Sequence, residues 1–254
     1  MFEGLGVRER ALADLNAAIA LIPDFANSYI YRGIVWSELR EHDRAIADLE
    51  YAKRLRPDDP LILNNLGNAF AAKGEQDKAI LNFNRAITLR GDYSEAYYNR
   101  ASAYVALGDR SHAIADFDEA IRLRPSYSEA YNNRGVLKLA QGEIEGAVAD
   151  FDAAGRLSPL DVAALMNRAN AYLASNRGRD ALSDLTRAIE IDPGNASAYV
   201  ARGRAALYSG DSTQSIDDFL TAHRLLPTNP YTVLWLHIAR THRGEDDAKE
   251  FRDN

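Results

Sequence analysis

Cysteine is absent from the 254-residue chain. Its absence removes disulfides, zinc-thiolate sites and thiol catalysis together, and it selects no compartment, because a packed helical core needs no covalent staples. No stretch approaches the roughly 20 apolar residues that span a bilayer. The first residues, MFEGLGVRER, lack the basic segment followed by an apolar run that marks a secretory signal. Positive charge is in deficit: 30 Lys and Arg against 37 Asp and Glu leave a formal charge of -7. Nucleic-acid binders instead carry a basic stripe that displaces counterions. Proline and glycine are few, 8 and 16, which excludes the disordered classes.

What the chain does have is a repeat. The 34 residues Ser128–Asp161, SEAYNNRGVLKLAQGEIEGAVADFDAAGRLSPLD, recur upstream as SEAYYNRASAYVALGDRSHAIADFDEAIRLRPSY from Ser94, with weaker copies on both sides. Each copy holds two apolar-periodic segments separated by a turn that usually contains Gly: Gly74, Gly108, Gly142 and Gly210. Two helices per repeat follow. The first has an aromatic or Leu near its start (Tyr29, Tyr97, Tyr131, Leu165, Tyr199) and a small residue four positions on (Gly33, Ala101, Gly135, Ala169, Gly203). The second supplies Ala79, Phe83 and Ala86 and their equivalents, spaced by four and three so that all face one way. Pro57, Pro125, Pro159, Pro193 and Pro227 end the second helices, with Gly91 in the remaining slot.

At these positions the chain resembles the tetratricopeptide repeat family over almost its whole length. The resemblance implies an all-α fold: helix-turn-helix repeats stacked into a right-handed α-solenoid superhelix with a concave inner groove. A solenoid grows by adding repeats, so one continuous array is expected rather than separate globular domains. Residues 1–25 read as a partial repeat, its second helix only, with Gly6 on the turn position and Ala11, Leu15, Ala18 and Pro23 in phase. The chain therefore reads as starting inside a repeat of a longer protein. Six full repeats fill residues 26–229; the last is worn, with Ser215 in place of Ala and Ala206 in place of an aromatic. Residues 230–254 read as a capping helix and a short charged tail. This last segment, with its LWL helix and its Ala-Lys-Glu element, also resembles the one that follows the repeats in bacterial NlpI-type lipoproteins. That resemblance implies a bacterial envelope adaptor, and a periplasmic rather than cytoplasmic setting; the lipidated Cys of such proteins is missing here.

Two constellations stand out. Arg and Asp recur sixteen residues apart, as Arg32 with Asp48, Arg100 with Asp116, Arg134 with Asp150, Arg168 with Asp184 and Arg202 with Asp218; in one repeat both are replaced, by Leu66 and Asn82. Joint loss within one repeat predicts an Arg–carboxylate bridge between its two helices, with a structural role. The second constellation is Asn65, Asn99, Asn133 and Asn167, all at one phase of the first helix. In the resembled family that phase faces the groove, where side-chain amides can satisfy the backbone of an extended peptide. The other reading of the same asparagines is that they bond a neighbouring helix. Around them Tyr98, Asn132, Met166, Asn170, Arg204 and Tyr208 complete the candidate peptide-binding set. Leu139 and Leu173 read as packing residues.

The two-Lys, Arg and Asn clamp by which some tetratricopeptide modules hold acidic chaperone tails is not supplied by three consecutive repeats. Glu95, Glu129, Ala163 and Ser197 stand where one Lys would be. His237 and His242 are five apart, which does not align two metal ligands on one helix face. No phosphate loop, cofactor motif or nucleophile constellation is found. The sequence thus points to a non-catalytic scaffold for a protein or peptide partner, with no cofactor. A homodimer through the terminal helices is the alternative.

Overall fold

The computed structural model describes residues 2–244, with side chains from residue 6 onward. It divides into two compact units, residues 1–126 and 127–254. The N-terminal unit contains α1 (Phe2–Leu21), α2 (Ala26–Glu38), α3 (His42–Leu55), α4 (Pro60–Ala72), α5 (Gln76–Leu89), α6 (Ser94–Ala106) and α7 (Arg110–Leu123). The C-terminal unit contains α8 (Ser128–Ala140), α9 (Ile144–Leu157), α10 (Val162–Ala174), α11 (Gly178–Ile191), α12 (Ala196–Tyr208), α13 (Ser212–Leu225) and α14 (Pro230–His242). Among the described residues every regular element is a helix, and within each unit the hairpins stack in chain order as a solenoid.

The turns explain the spacing. Gly74, Gly108, Gly142 and Gly210 sit at φ between +78° and +87°, a region that costs an L side chain but not glycine. Arg40 (φ 62°) and Asn176 (φ 59°) occupy the same slot in the two repeats without a turn glycine. Two residues after Pro57, Pro159, Pro193 and Pro227, the side chains of Asp59, Asp161, Asn195 and Asn229 cap the next first helix by accepting a backbone N–H. Gly6 departs from its expected role. The helix α1 runs through it unbroken.

Between the two helices of each hairpin lies the core. Phe83, Phe117, Phe151 and Phe219, with Leu49 and Leu185, are at most 1% exposed, and the flanking Ala79, Ala113, Ala147 and Ala181 are closed off entirely. The small residue of the first helix is required by this close approach: a Cβ on Gly67 would lie 2.5 Å from the Phe83 ring.

Within each unit successive first helices touch one another directly, whereas successive second helices stand further apart. Arginine spans that outer seam. Arg100 donates from Nε and Nη2 to the two carboxylate oxygens of Asp116 at 2.7 and 2.6 Å, and its Nη1 reaches back to Asn84 Oδ1 on the preceding second helix at 2.6 Å. Arg32 repeats the pattern with Asp48 and Asn16, Arg168 with Asp184 and Asp152, and Arg202 with Asp218 and Thr186. Arg134 bridges Asp150 in the same bidentate way, and Lys138 adds a second cation there. The carboxylates are buried, and the hydrogen bonds each accepts from its arginine, together with its charge, hold Arg32, Arg168 and Arg202 above the usual guanidinium range. The bridge expected within a repeat is therefore also a strap between repeats.

Helix α14 follows α12 by 34 residues at both ends, and Gly244 takes the turn conformation with φ +81°. It packs on α13 and α12 through Leu236 and Ala239. The cap is thus in register as a further first helix. The charged tail expected after it lies outside the described residues.

Candidate functional site: the first-helix faces

The residues at the candidate phase fall on α4 and α6 in the N-terminal unit and on α8, α10 and α12 in the C-terminal unit. Asn99 Nδ2 donates to Asn64 Oδ1 at 3.0 Å, and Asn167 Nδ2 donates to Asn132 Oδ1 at 3.0 Å. Each bond joins one first helix to the next, the second of the two roles open to these amides. It uses one N–H of each donor and leaves the other N–H and the carbonyl oxygen to further partners. Asn65 bonds back to Leu61 O within its own helix at 3.0 Å, and Asn133 is half-buried. Tyr98 is half-buried with its ring 5.6 Å from that of Phe117, so much of it belongs to the core. Met166 likewise packs against the clusters around Leu185 and Leu165.

Three residues of the C-terminal unit face outward. Asn170 is exposed on α10. Tyr208 is 61% exposed and lines a cleft of about 380 Å³ together with Leu173, Asn176, Arg179 and Ser209. Gly178 lets this cleft close around Ser209, since a Cβ there would meet Ser209 Oγ at 2.8 Å. Arg204, one repeat on from Asn170 at the same phase, lies over the Trp235 ring with 5.2 Å from guanidinium carbon to centroid. No carboxylate lies within ion-pair distance of it among the described residues, and its Nε is buried without an acceptor. A guanidinium that is held by a ring but not by an anion offers several donors in a fixed fork.

Trp235 was not among the residues expected at the site. Its position follows from register: it stands 68 residues after Asn167, at the same phase, once α14 is counted as a first helix. The arrangement as a whole supplies amide donors and acceptors, one unpaired cation and exposed aromatic surface. That chemistry suits a polypeptide; among the described residues no group of three His, Asp or Glu side chains is placed to hold a metal ion.

Comparison with known proteins agrees with this geometry. The tetratricopeptide repeat pattern matches residues 3–60, 98–162 and 166–230, and a TPR repeat pattern matches residues 67–108. The chain belongs to the tetratricopeptide repeat family. It matches no curated protein by sequence. Among solved structures it is similar to a chain of the APC/C hetero-tetramer Cut9–Hcn1, with a TM-score of 0.73 at 18% identity over 91% of this chain. It spans 46% of the length of that chain. It is similar also to Pseudomonas aeruginosa pilF, with a TM-score of 0.73 at 17% identity, covering 85% of this chain and 96% of the other. YrrB, described as a TPR protein with an unusual peptide-binding site, matches with a TM-score of 0.59 at 23% identity, covering 74% of this chain and 97% of YrrB. At these identities the likeness is one of fold.

Proposed function

We propose that the chain is a non-catalytic protein-interaction scaffold whose first-helix face holds an extended peptide. Arg204 carries this reading. A half-buried guanidinium with no anionic partner, seated on Trp235 and in register with Asn170 and Tyr208, offers its Nη donors to a carboxylate or a run of backbone carbonyls from outside. The Asn99–Asn64 and Asn167–Asn132 bonds support it, since they fix the amide planes before a ligand arrives. The peptide-binding site named for YrrB lends the fold a precedent for the role. On the resemblance of the C-terminal segment to NlpI-type lipoproteins, the reading extends to a bacterial envelope adaptor; finding the protein in the cytoplasmic fraction of its source cells would remove that extension.

The test is selection of peptides from a random display library against the full chain, followed by titration of the winners with Trp235 emission as one readout. Selected peptides should carry Asp or Glu, and Arg204→Ala should weaken them roughly 10- to 100-fold, the scale of a hydrogen-bonded charge. Unchanged affinity for Arg204→Ala and for Asn133→Ala with Asn167→Ala would refute the groove.

A second reading, self-association, rests on α1. Ala11, Leu15 and Ala18 are only partly covered, although their equivalents Ala45, Leu49 and Ala52 are fully buried, and Leu21, Ile22 and Phe25 beside them are exposed. Light scattering coupled to size exclusion checks it: a dimer abolished by Leu21→Glu with Ile22→Glu is expected, and a monomer at high concentration removes the reading.

A further inference from the structure

The repeat that lacks the arginine strap has kept a place for it. In four of its siblings, those of Arg32, Arg100, Arg168 and Arg202, the guanidinium of residue n bonds residue n+16 on its own second helix and residue n−16 on the preceding one, as Arg100 bonds Asp116 and Asn84. Position 66 holds Leu, fully buried, and its two counterpart positions are Glu50 on α3 and Asn82 on α5. Those two side chains now face each other across an open cleft of about 520 Å³ on the outer seam, floored by Leu63 and Phe70. Leu63 and Phe70 are the positions three before and four after the missing arginine. In the sibling repeats the same positions put a ring beside the guanidinium, Tyr97 at 5.5 Å from Arg100 and Tyr172 at 6.0 Å from Arg168.

Two acceptors of this cleft are free or loosely held. Asn82 donates its amide to Lys78 O, which leaves Oδ1 without a partner. Glu50 makes a single long contact, 3.7 Å to Lys53 Nζ. The other rim cations are already engaged at the cleft, Lys78 with Glu75 and over the Phe70 ring of the floor, Arg85 with Asp58, a second carboxylate of the lining, at 2.7 Å. At the mouth Leu81 is 67% exposed, where the other second helices carry Ala, Ser or Asp.

We infer that this outer-face cleft between α3 and α5 receives an arginine side chain of a partner polypeptide, held between Glu50 and Asn82 Oδ1 as the chain's own arginines are held in the sibling repeats. The planar fork matches the two acceptors, the carboxylate supplies the charge, and Leu81 offers apolar surface to the arginine stem. A lysine reaches one acceptor at a time and competes with Lys53 on equal terms. The site lies on the second-helix side, so it is independent of the peptide face proposed above.

The experiment is an amide-resolved NMR titration of the full chain with N-acetyl-arginine amide, and with the matched lysine and citrulline amides. The arginine probe should shift signals of Glu50, Leu81 and Asn82 with a Kd of roughly 1–10 mM, the scale of one side chain. Lysine and citrulline should bind several-fold more weakly. Leu66→Arg with Asn82→Asp fills the cleft from inside with the pair the siblings use, and should abolish the shifts. Glu50→Gln, on the half-exposed wall, should weaken the arginine probe several-fold without reshaping the fold. No shift with arginine, equal shifts with lysine, or shifts that persist in Glu50→Gln would each overturn the assignment.

Discussion

Asp116→Asn alone should be far more damaging than Asp116→Asn combined with Arg100→Leu. Asp116 is 5% exposed and takes two charge-assisted hydrogen bonds from Arg100, whose side chain is 19% exposed. Two opposite charges about 4 Å apart at an effective dielectric near 20 attract by about 4 kcal/mol. Removing the carboxylate charge leaves a largely desolvated guanidinium held by Asn84 and the new amide, and the expected loss is about 3–5 kcal/mol. The double substitution recreates Leu66 with Asn82, a combination this chain already folds around in the preceding repeat with Leu66 fully buried. Its cost should stay within about 1 kcal/mol of the parent, because neither charge is stranded. For a chain of this size the single variant should melt about 6–15 °C lower and the double close to the parent. Thermal melts followed by circular dichroism, with urea titrations as a check on cooperativity across repeats, separate the outcomes. Equal melting temperatures for the two variants would show that the bridge contributes through packing and not through charge compensation.

Three further expectations follow from particular side chains. Ser215 is fully buried with an unpartnered hydroxyl where every other full repeat has Ala, so Ser215→Ala should stabilise by about 1 kcal/mol; a lower melting temperature would mean that the hydroxyl has a partner. Arg40 holds φ 62° in a turn where four of its counterparts are glycine, and Arg40→Gly should relieve about 0.5–1 kcal/mol net of chain entropy, read as a raised urea midpoint. The Lys78 and Lys73 ammonium groups hydrogen-bond Glu75 and keep its carboxyl below the usual range. Because the folded value is the depressed one, this contribution is present above the ordinary carboxylate range and fades as pH falls through the folded value. Carboxylate NMR titration should show Glu75 returning toward the ordinary range in Lys78→Met, and no movement would dismiss the pairing.

Much of the fold was legible in the letters because a repeat states its packing several times over. The small residue of the first helix, the Phe or Leu of the second and the closing Pro recur in phase, and each is read against its siblings rather than against a general propensity. The Arg and Asp spacing named its own partner for the same reason. Register slipped where the letters wear thin: Gly6 was read as a turn although α1 passes through it. The site was less legible. Phase gave Asn65, Asn99, Asn133 and Asn167 one face, but it could not say that Asn99 and Asn167 bond the preceding first helix while Asn65 bonds its own.

The sequence by itself determined the hairpins, their count within residues 26–229 and the five intra-repeat bridges, since these depend on spacings of three, four, sixteen and 34 that helical geometry converts directly into contacts. Tertiary structure alone decided what happens between repeats. The reach of Arg32, Arg100, Arg168 and Arg202 to the preceding second helix, the amide bonds between first helices, the seat of Arg204 on Trp235 and the open cleft over Leu63 and Phe70 all depend on how far apart neighbouring helices stand. That distance is set by the summed packing of many side chains, and no single position in the sequence carries it.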